Sequence, residues 1–237
     1  MQPAIKRLVG RIIANGGIVI RDVGKGEDPF LYSSGNRGPG YIDIKGQCGN
    51  RSLSDALAAA TAAKLVLVDG VIPSAVAGNV TGGLGPGWKL RDALSILLGY
   101  DLPYVYVRDT RKVGGHGEKV TGTWALKNMP GGDGVLVVEE LVNFAETTCN
   151  SAHHLRWEHH LHVHHAACYL SYEHAVAQER LATQEVTLHP LFTLGEALDV
   201  GIELGLLQEP LVADFRSFLA DPGKWQADRG YPLPQKE

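Results

Sequence analysis

Glu139 and Glu140 are adjacent carboxylates closing an apolar run, Val135 to Val138, within the segment Val-Leu-Val-Val-Glu-Glu-Leu-Val-Asn-Phe-Ala-Glu-Thr-Thr at 135–148. The run predicts a buried strand, and the residues after it predict a helix over roughly 148–162, capped by Thr147 or Thr148. Ligands of open α/β sheets sit at the carboxyl ends of strands. An acidic pair there can hold ribose hydroxyls or bind Mg²⁺ through water, and the helix N-terminus behind it can receive a phosphate. An ordinary strand with a solvated acidic turn is the alternative for this segment alone.

A second group sits at 109–119, where Arg111, Lys112 and His116 follow Arg108 among glycines. Cations there can stabilise charge that develops on a leaving group only in the transition state. Composition makes this segment a mobile loop that can close over a site. Taken in isolation it reads as a solvated basic loop.

Eight of the ten histidines fall between 153 and 174. His160 and His164 stand four apart, a spacing with which two helical histidines can bind zinc. No Glu follows the first, and the pattern straddles a helix and a strand. A solvated helix face or dimer-contact histidines is the preferred reading, with local charge responding near pH ~6.5.

The elements that must position these groups alternate. Helices are expected at 3–15, from Ser52 or Ser54 to Ala63, at 89–98, at 148–162 and at 173–182. Strands are expected at 18–20, 41–44, 65–68, 104–107, 135–138 and 163–172, and 78–87, with five glycines and a proline, is read as a loop. This pattern predicts an α/β fold with a parallel sheet flanked by helices on both faces. The chain has 237 residues, 44% of them hydrophobic, and a net charge of −4, giving no argument for nucleic acid or an anionic membrane as partner. No stretch of about 18 apolar residues occurs. Cys48, Cys149 and Cys168 show no close pairing, which suits a reducing cytoplasm.

Several segments, in order, resemble orotate phosphoribosyltransferase. Residues 30–43, Phe-Leu-Tyr-Ser-Ser-Gly-Asn-Arg-Gly-Pro-Gly-Tyr-Ile-Asp, are similar to its N-terminal signature. Residues 102–117 are similar to its strand and catalytic loop, 135–148 to its phosphoribosyl-pyrophosphate strand and loop, and 187–198 to its C-terminal segment. The resemblance implies a type I phosphoribosyltransferase core with a small N-terminal hood at 1–45, a core at 46–206 and a helical extension at 207–237. It implies phosphoribosyl transfer to orotate with Mg²⁺, in a cytoplasmic homodimer whose catalytic loop reaches the partner's site. Arg108, Arg111, Lys112 and His116 take the catalytic positions. Thr81, Gly82 and Gly83 match the glycine-rich segment on the pyrophosphate side. Ser33, Ser34, Gly35, Gly40, Tyr41 and His174 take base-side positions, and Glu139 and Glu140 those that meet the metal through substrate and water.

The chain departs from the family where typical members read Glu-Asp-Leu-Val-Thr-Thr-Gly-Gly-Ser. Without a gap, Asn143 and Phe144 replace the threonines. With a four-residue insertion, Thr147, Thr148 and Ser151 match and Cys149 and Asn150 replace the glycines. The insertion recovers three hydroxyls and is the expected register. Ser33 stands where the family has lysine, and Glu173-His174 where it has Asp-Arg. Histidine cannot reproduce bidentate guanidinium recognition of a carboxylate. The departures leave open two other readings: a transferase for another base, or a catalytically silent nucleotide-binding homologue.

Overall fold

A computed structural model describes residues 1–108 and 118–233; the side chain of Asn128 is not described. The chain divides into two compact units, one of Cys48–Leu194 and one of Gln2–Gln47 with Gly195 onward.

Among the described residues, the first unit is built on a six-stranded sheet. Its elements are α2 (Arg51–Ala63), β5 (Ala75–Asn79), α3 (Leu84–Leu98), β6 (Tyr104–Val107), β7 (Val120–Thr121), β8 (Val135–Val142), α4 (Glu146–His159), β9 (His165–Ser171), α5 (Ala175–Thr183) and β10 (Thr187–Thr193). The strand order is β10-β9-β8-β5-β6-β7, parallel except for β7, which runs antiparallel to β6. From β5 the chain steps to one side through β6 and β7, then returns to β8 on the other. The carboxyl ends of β5 and β8 therefore flank the switch point where such sheets bind ligands.

β8 is apolar on both faces for a physical reason. Val135 and Val137 pack with Leu155, Ala166 and Leu181 on one side of the sheet, and Leu136 and Val138 with Leu65, Leu90 and Leu94 on the other. A strand covered on both faces gives a continuous rather than alternating run.

Two expectations fail here. Residues 65–68 are not a buried strand: Lys64–Val68 continues α2 as a π-helical turn, with Leu65 buried and Leu67 and Val68 72% and 65% exposed. A four-residue apolar run carries no period that separates strand from helix, and no breaker ends the Ala-rich helix before it. Conversely, Ala75–Asn79 forms a fully buried central strand in a stretch that carries no strand signal. Its alanines and glycine have low strand propensity, but a Cβ on Gly78 would lie 2.4 Å from the Tyr104 hydroxyl and 2.7 Å from the Gly83 carbonyl oxygen. Packing selects the small residue.

The second unit gathers α1 (Pro3–Ala14), the short ribbons β1 (Ile18–Ile20) with β4 (Gly40–Ile42) and β2 (Phe30–Leu31) with β3 (Arg37–Gly38), α6 (Leu194–Glu203, from Gly195 onward), α7 (Glu209–Ala220) and α8 (Pro222–Ala227). The division expected from sequence kept residues 46–206 together and set 207–237 apart. In the structure the chain from Gly195 groups with the N-terminal residues, because Phe215 and Phe218 lie over Gly40 and Gly38. No helix among the described residues is long and apolar enough to cross a membrane.

Candidate active site at the carboxyl edge of the sheet

Glu139 lies in the carboxyl half of β8, which runs on to Val142 rather than ending at Val138 as expected, and is 7% exposed. Its Oε1 accepts the Asn79 side-chain amide at 2.7 Å and the Thr147 hydroxyl at 2.8 Å. Burial pushes its carboxyl up to about 7; those two hydrogen bonds oppose the shift, and the adjacent Glu140 adds to it. Glu140 points to the segment after β5, where the Val80–Thr81 peptide is cis. A Cβ on Gly82 would fall 1.6 Å from Glu140 Oε2, and one on Gly83 2.0 Å from the Val138 carbonyl oxygen. Glycine at both positions lets this backbone close onto the acidic strand end. Thr81 is exposed beside it.

The chain then turns into α4. Asn143 and Phe144 form a bend, and Ala145 adopts φ 58° as the N-cap, without a side-chain cap bond. The helix begins at Glu146, so neither Thr147 nor Thr148 caps it. Residues 147–151 lie in the opening turns of α4, and the left-handed position that a glycine would occupy belongs to Ala145. Thr148 and Ser151 are 1% and 6% exposed, and Cys149 packs against the core cluster on the α4 side of the sheet. Helical spacing nonetheless brings Thr147, Asn150, Ser151 and His154 to one cleft with Asn79, Val80, Val107 and Arg108.

Arg108 follows β6. Its guanidinium donates to the Tyr106 hydroxyl at 3.1 Å, and its backbone N–H to the Lys119 carbonyl at 2.9 Å. Lys119 Nζ lies 2.5 Å from His154 Nε2. Arg111, Lys112 and His116 lie outside the described residues. Arg180 was missed by the sequence reading: from α5 it donates to the Phe144 carbonyl at 3.0 Å and approaches Glu146 at 4.0 Å. His174 follows β9 and stacks on Phe144 and Tyr172.

The other base-side candidates belong to the second unit. Ser33, Ser34 and Gly35 form an exposed turn closed by the Tyr32 N–H to Asn36 carbonyl bond of 2.9 Å. Tyr41 is half exposed, 5.4 Å from the Phe30 ring. Gly40 is buried, and a Cβ there would meet Phe215 at 2.4 Å, so packing accounts for that glycine. The histidine-rich stretch builds no metal centre: no group of three or more His, Cys, Asp or Glu among the described residues could hold an ion. His160 ends α4 with φ 54°, so it and His164 do not share a helix. His165 Nδ1 instead lies 3.0 Å from His189 Nε2, and His189 Nδ1 lies 2.9 Å from Asp69, which also accepts from Lys64 at 2.8 Å.

A mostly parallel sheet flanked by helices, with an acidic strand end facing a glycine-rich turn across its switch point, defines a type I phosphoribosyltransferase fold. Within that class the chain is similar to the orotate phosphoribosyltransferases. The enzyme of that name from Bacteroides thetaiotaomicron is 28% identical over 202 residues, covering 85% of this chain and 89% of that protein. The crystal structure of orotate phosphoribosyltransferase from Aeropyrum pernix superposes with a TM-score of 0.62 at 28% identity, covering 85% of this chain and 99% of that one. UMP synthase from Leishmania donovani gives a TM-score of 0.68 at 18% identity; 92% of this chain spans 42% of that longer protein, a likeness of fold alone. No family model matches the chain.

Proposed function

We propose that this chain is a glycosyltransferase moving ribose 5-phosphate from phosphoribosyl pyrophosphate to a ring nitrogen of orotate, giving orotidine 5'-phosphate and pyrophosphate in pyrimidine nucleotide synthesis. The observation that carries the reading is the close approach of Gly82 to Glu140 and of Gly83 to the Val138 carbonyl, beside the buried Glu139, at the sheet's switch point. The carboxylates accept hydrogen bonds from the ribose hydroxyls. The opening N–H groups of α4 receive the 5-phosphate, with Thr147 and Asn150 beside them. Arg108, with Arg111, Lys112 and His116 assigned from sequence, stabilises the departing diphosphate.

The donor chemistry fits Mg²⁺: Glu139 and Glu140 are adjacent hard oxygen ligands beside the glycine-rich turn. When bound through substrate and water, Mg²⁺ supplies neutralisation of the diphosphate charge. A homodimer belongs to the proposal because Leu84, Trp88 and Ile96 recur along α3 and are exposed by 37%, 52% and 84%. A cytoplasmic setting is supported by three free cysteines. His174, standing where an arginine would pair with a carboxylate, favours a second reading in which another planar base is the acceptor.

Pyrophosphate release, measured with phosphoribosyl pyrophosphate and Mg²⁺ plus orotate, uracil, adenine or no base, tests both. Orotate-dependent release, abolished by a chelator, is expected. Release with another base alone selects the second reading, and none with any base overturns both.

A further inference from the structure

The amino edge of the sheet, opposite the acidic pair, holds a cavity of about 420 Å³ where the parallel strands β5, β8 and β9 begin. That volume suits a small molecule. Met129 and Leu161 supply apolar wall. The rings of His162 and His164, with centroids 6.3 Å apart and planes 19° apart, supply flat faces. Among the described residues no lysine or arginine lines the cavity, and Asp133 borders it, so its chemistry does not favour an anion. Nor can any group of His, Cys, Asp or Glu among the described residues hold a metal ion.

Two polar groups of its lining are unspent. Ser74 is 5% exposed, and its hydroxyl has no hydrogen-bond partner among the described residues. The other group is Nε2 of His165, whose Nδ1 alone is bonded. A chain of partners sets the tautomer of that ring. Asp69 Oδ2 accepts from Lys64 at 2.8 Å and from His189 Nδ1 at 2.9 Å, so that nitrogen carries a proton. The second nitrogen of a neutral His189 is then an acceptor, and His165 Nδ1 donates to it at 3.0 Å. His165 Nε2 is left as a bare acceptor on a residue that lines the cavity. Burial above all, and His189 next, hold the His165 imidazole below its ordinary pKa, so the lone pair persists at neutral pH.

We propose that this cavity is a second small-molecule site, separate from the acidic strand end, that takes a neutral planar heterocycle of nucleobase size through an N–H donated to His165 Nε2, with the Ser74 hydroxyl as the second polar contact. An acceptor fixed by a chain of partners and set among apolar walls rejects a ligand that lacks the donor, because its nitrogen would be left desolvated and unpaired. The flat faces of His162 and His164 suit a planar ring.

Long-range proton–nitrogen spectra of the chain, isotopically labelled at its histidine nitrogens, read both the tautomer and the ligand. His165→Phe and His189→Phe assign the two rings, and all other measurements use the unaltered chain or Ser74→Ala. At neutral pH both rings should carry their proton on Nδ1. Uracil should shift the His165 Nε2 resonance to saturation. By the same signal 1,3-dimethyluracil, which keeps the ring and loses both N–H groups, should bind at least about tenfold more weakly, and inorganic phosphate should leave the resonance unmoved. Ser74→Ala should weaken uracil roughly fivefold. A His165 protonated on Nε2, no response to uracil, an equal response to both uracils, a response to phosphate instead, or an indifferent Ser74→Ala overturns the proposal. None of these outcomes touches pyrophosphate release, which tests the transferase reading separately.

Discussion

Asn79 and Glu139 meet across the switch point of the sheet, amide to carboxylate, at 2.7 Å. Burial pushes the Glu139 carboxyl up to about 7. A carboxyl raised in the folded state contributes stability below its unfolded pKa, near 4.5, and loses it as pH rises through about 7. Glu139→Gln should therefore stabilise the chain by up to roughly 3 kcal/mol at alkaline pH and very little at acid pH. Thermal melts at both ends of that window check it; a pH-independent gain would contradict it.

The two threonines opening α4 should behave oppositely. Thr147 donates to Glu139 and borders the cleft, whereas the Thr148 hydroxyl is buried with no partner among the described residues. Thr147→Val should weaken phosphoribosyl pyrophosphate binding about tenfold. Thr148→Val should leave binding unchanged and stability unchanged or slightly higher, since it removes an unsatisfied buried hydroxyl. Titration calorimetry distinguishes them; the reverse ranking would make Thr148 the ligand-facing hydroxyl.

Asp69 anchors the Lys64, His189 and His165 chain. Burial pushes its carboxyl up, but the hydrogen bonds from Lys64 and His189 outweigh it and hold the pKa below the ordinary value. Such a group stabilises the fold above its unfolded pKa and loses that contribution as pH falls through the lowered one. Asp69→Asn should cost about 1 kcal/mol at neutral pH, discounted for solvent screening, and progressively less in strong acid. Denaturant melts across pH would show the two chains converging.

Ile96→Arg tests the homodimer. The side chain is 84% exposed, so a monomer should fold equally well with it. If α3 meets a second copy, the charge should shift the population toward monomer by light scattering. An unchanged oligomer would place the interface elsewhere.

What was legible in the sequence follows from local physics. β8 announces itself through valines buried on both faces and β6 through buried valines alternating with half-buried tyrosines, and Glu139 and Glu140 were found because charge interrupts the apolar run, although the strand itself continues to Val142. β5 was invisible because its Ala75, Ala77 and Gly78 are chosen by neighbours distant in sequence. The start of α4 was misplaced because threonine is a favoured N-cap, whereas here Ala145 takes the left-handed turn and Glu146 opens the helix. Arg180 and the stack on His174 carry no local signature, since the partners are joined only by tertiary packing. Likewise nothing in residues 195–233 says that Phe215 must cover Gly40.

Gly82 and Glu140 occupy nearly the same space from opposite sides of the switch point. A side chain at 82 is admissible only if the Glu140 carboxylate swings aside or position 140 shortens, and either change displaces the outer carboxylate of the acidic pair. The two sites, 58 residues apart by their numbers (140 − 82), thus form an epistatic pair in which the order of substitutions matters. An evolutionary path that shortens position 140 opens room at 82, and a later residue at 82 then acts as a ratchet, since restoring Glu140 would meet the side chain that replaced the glycine.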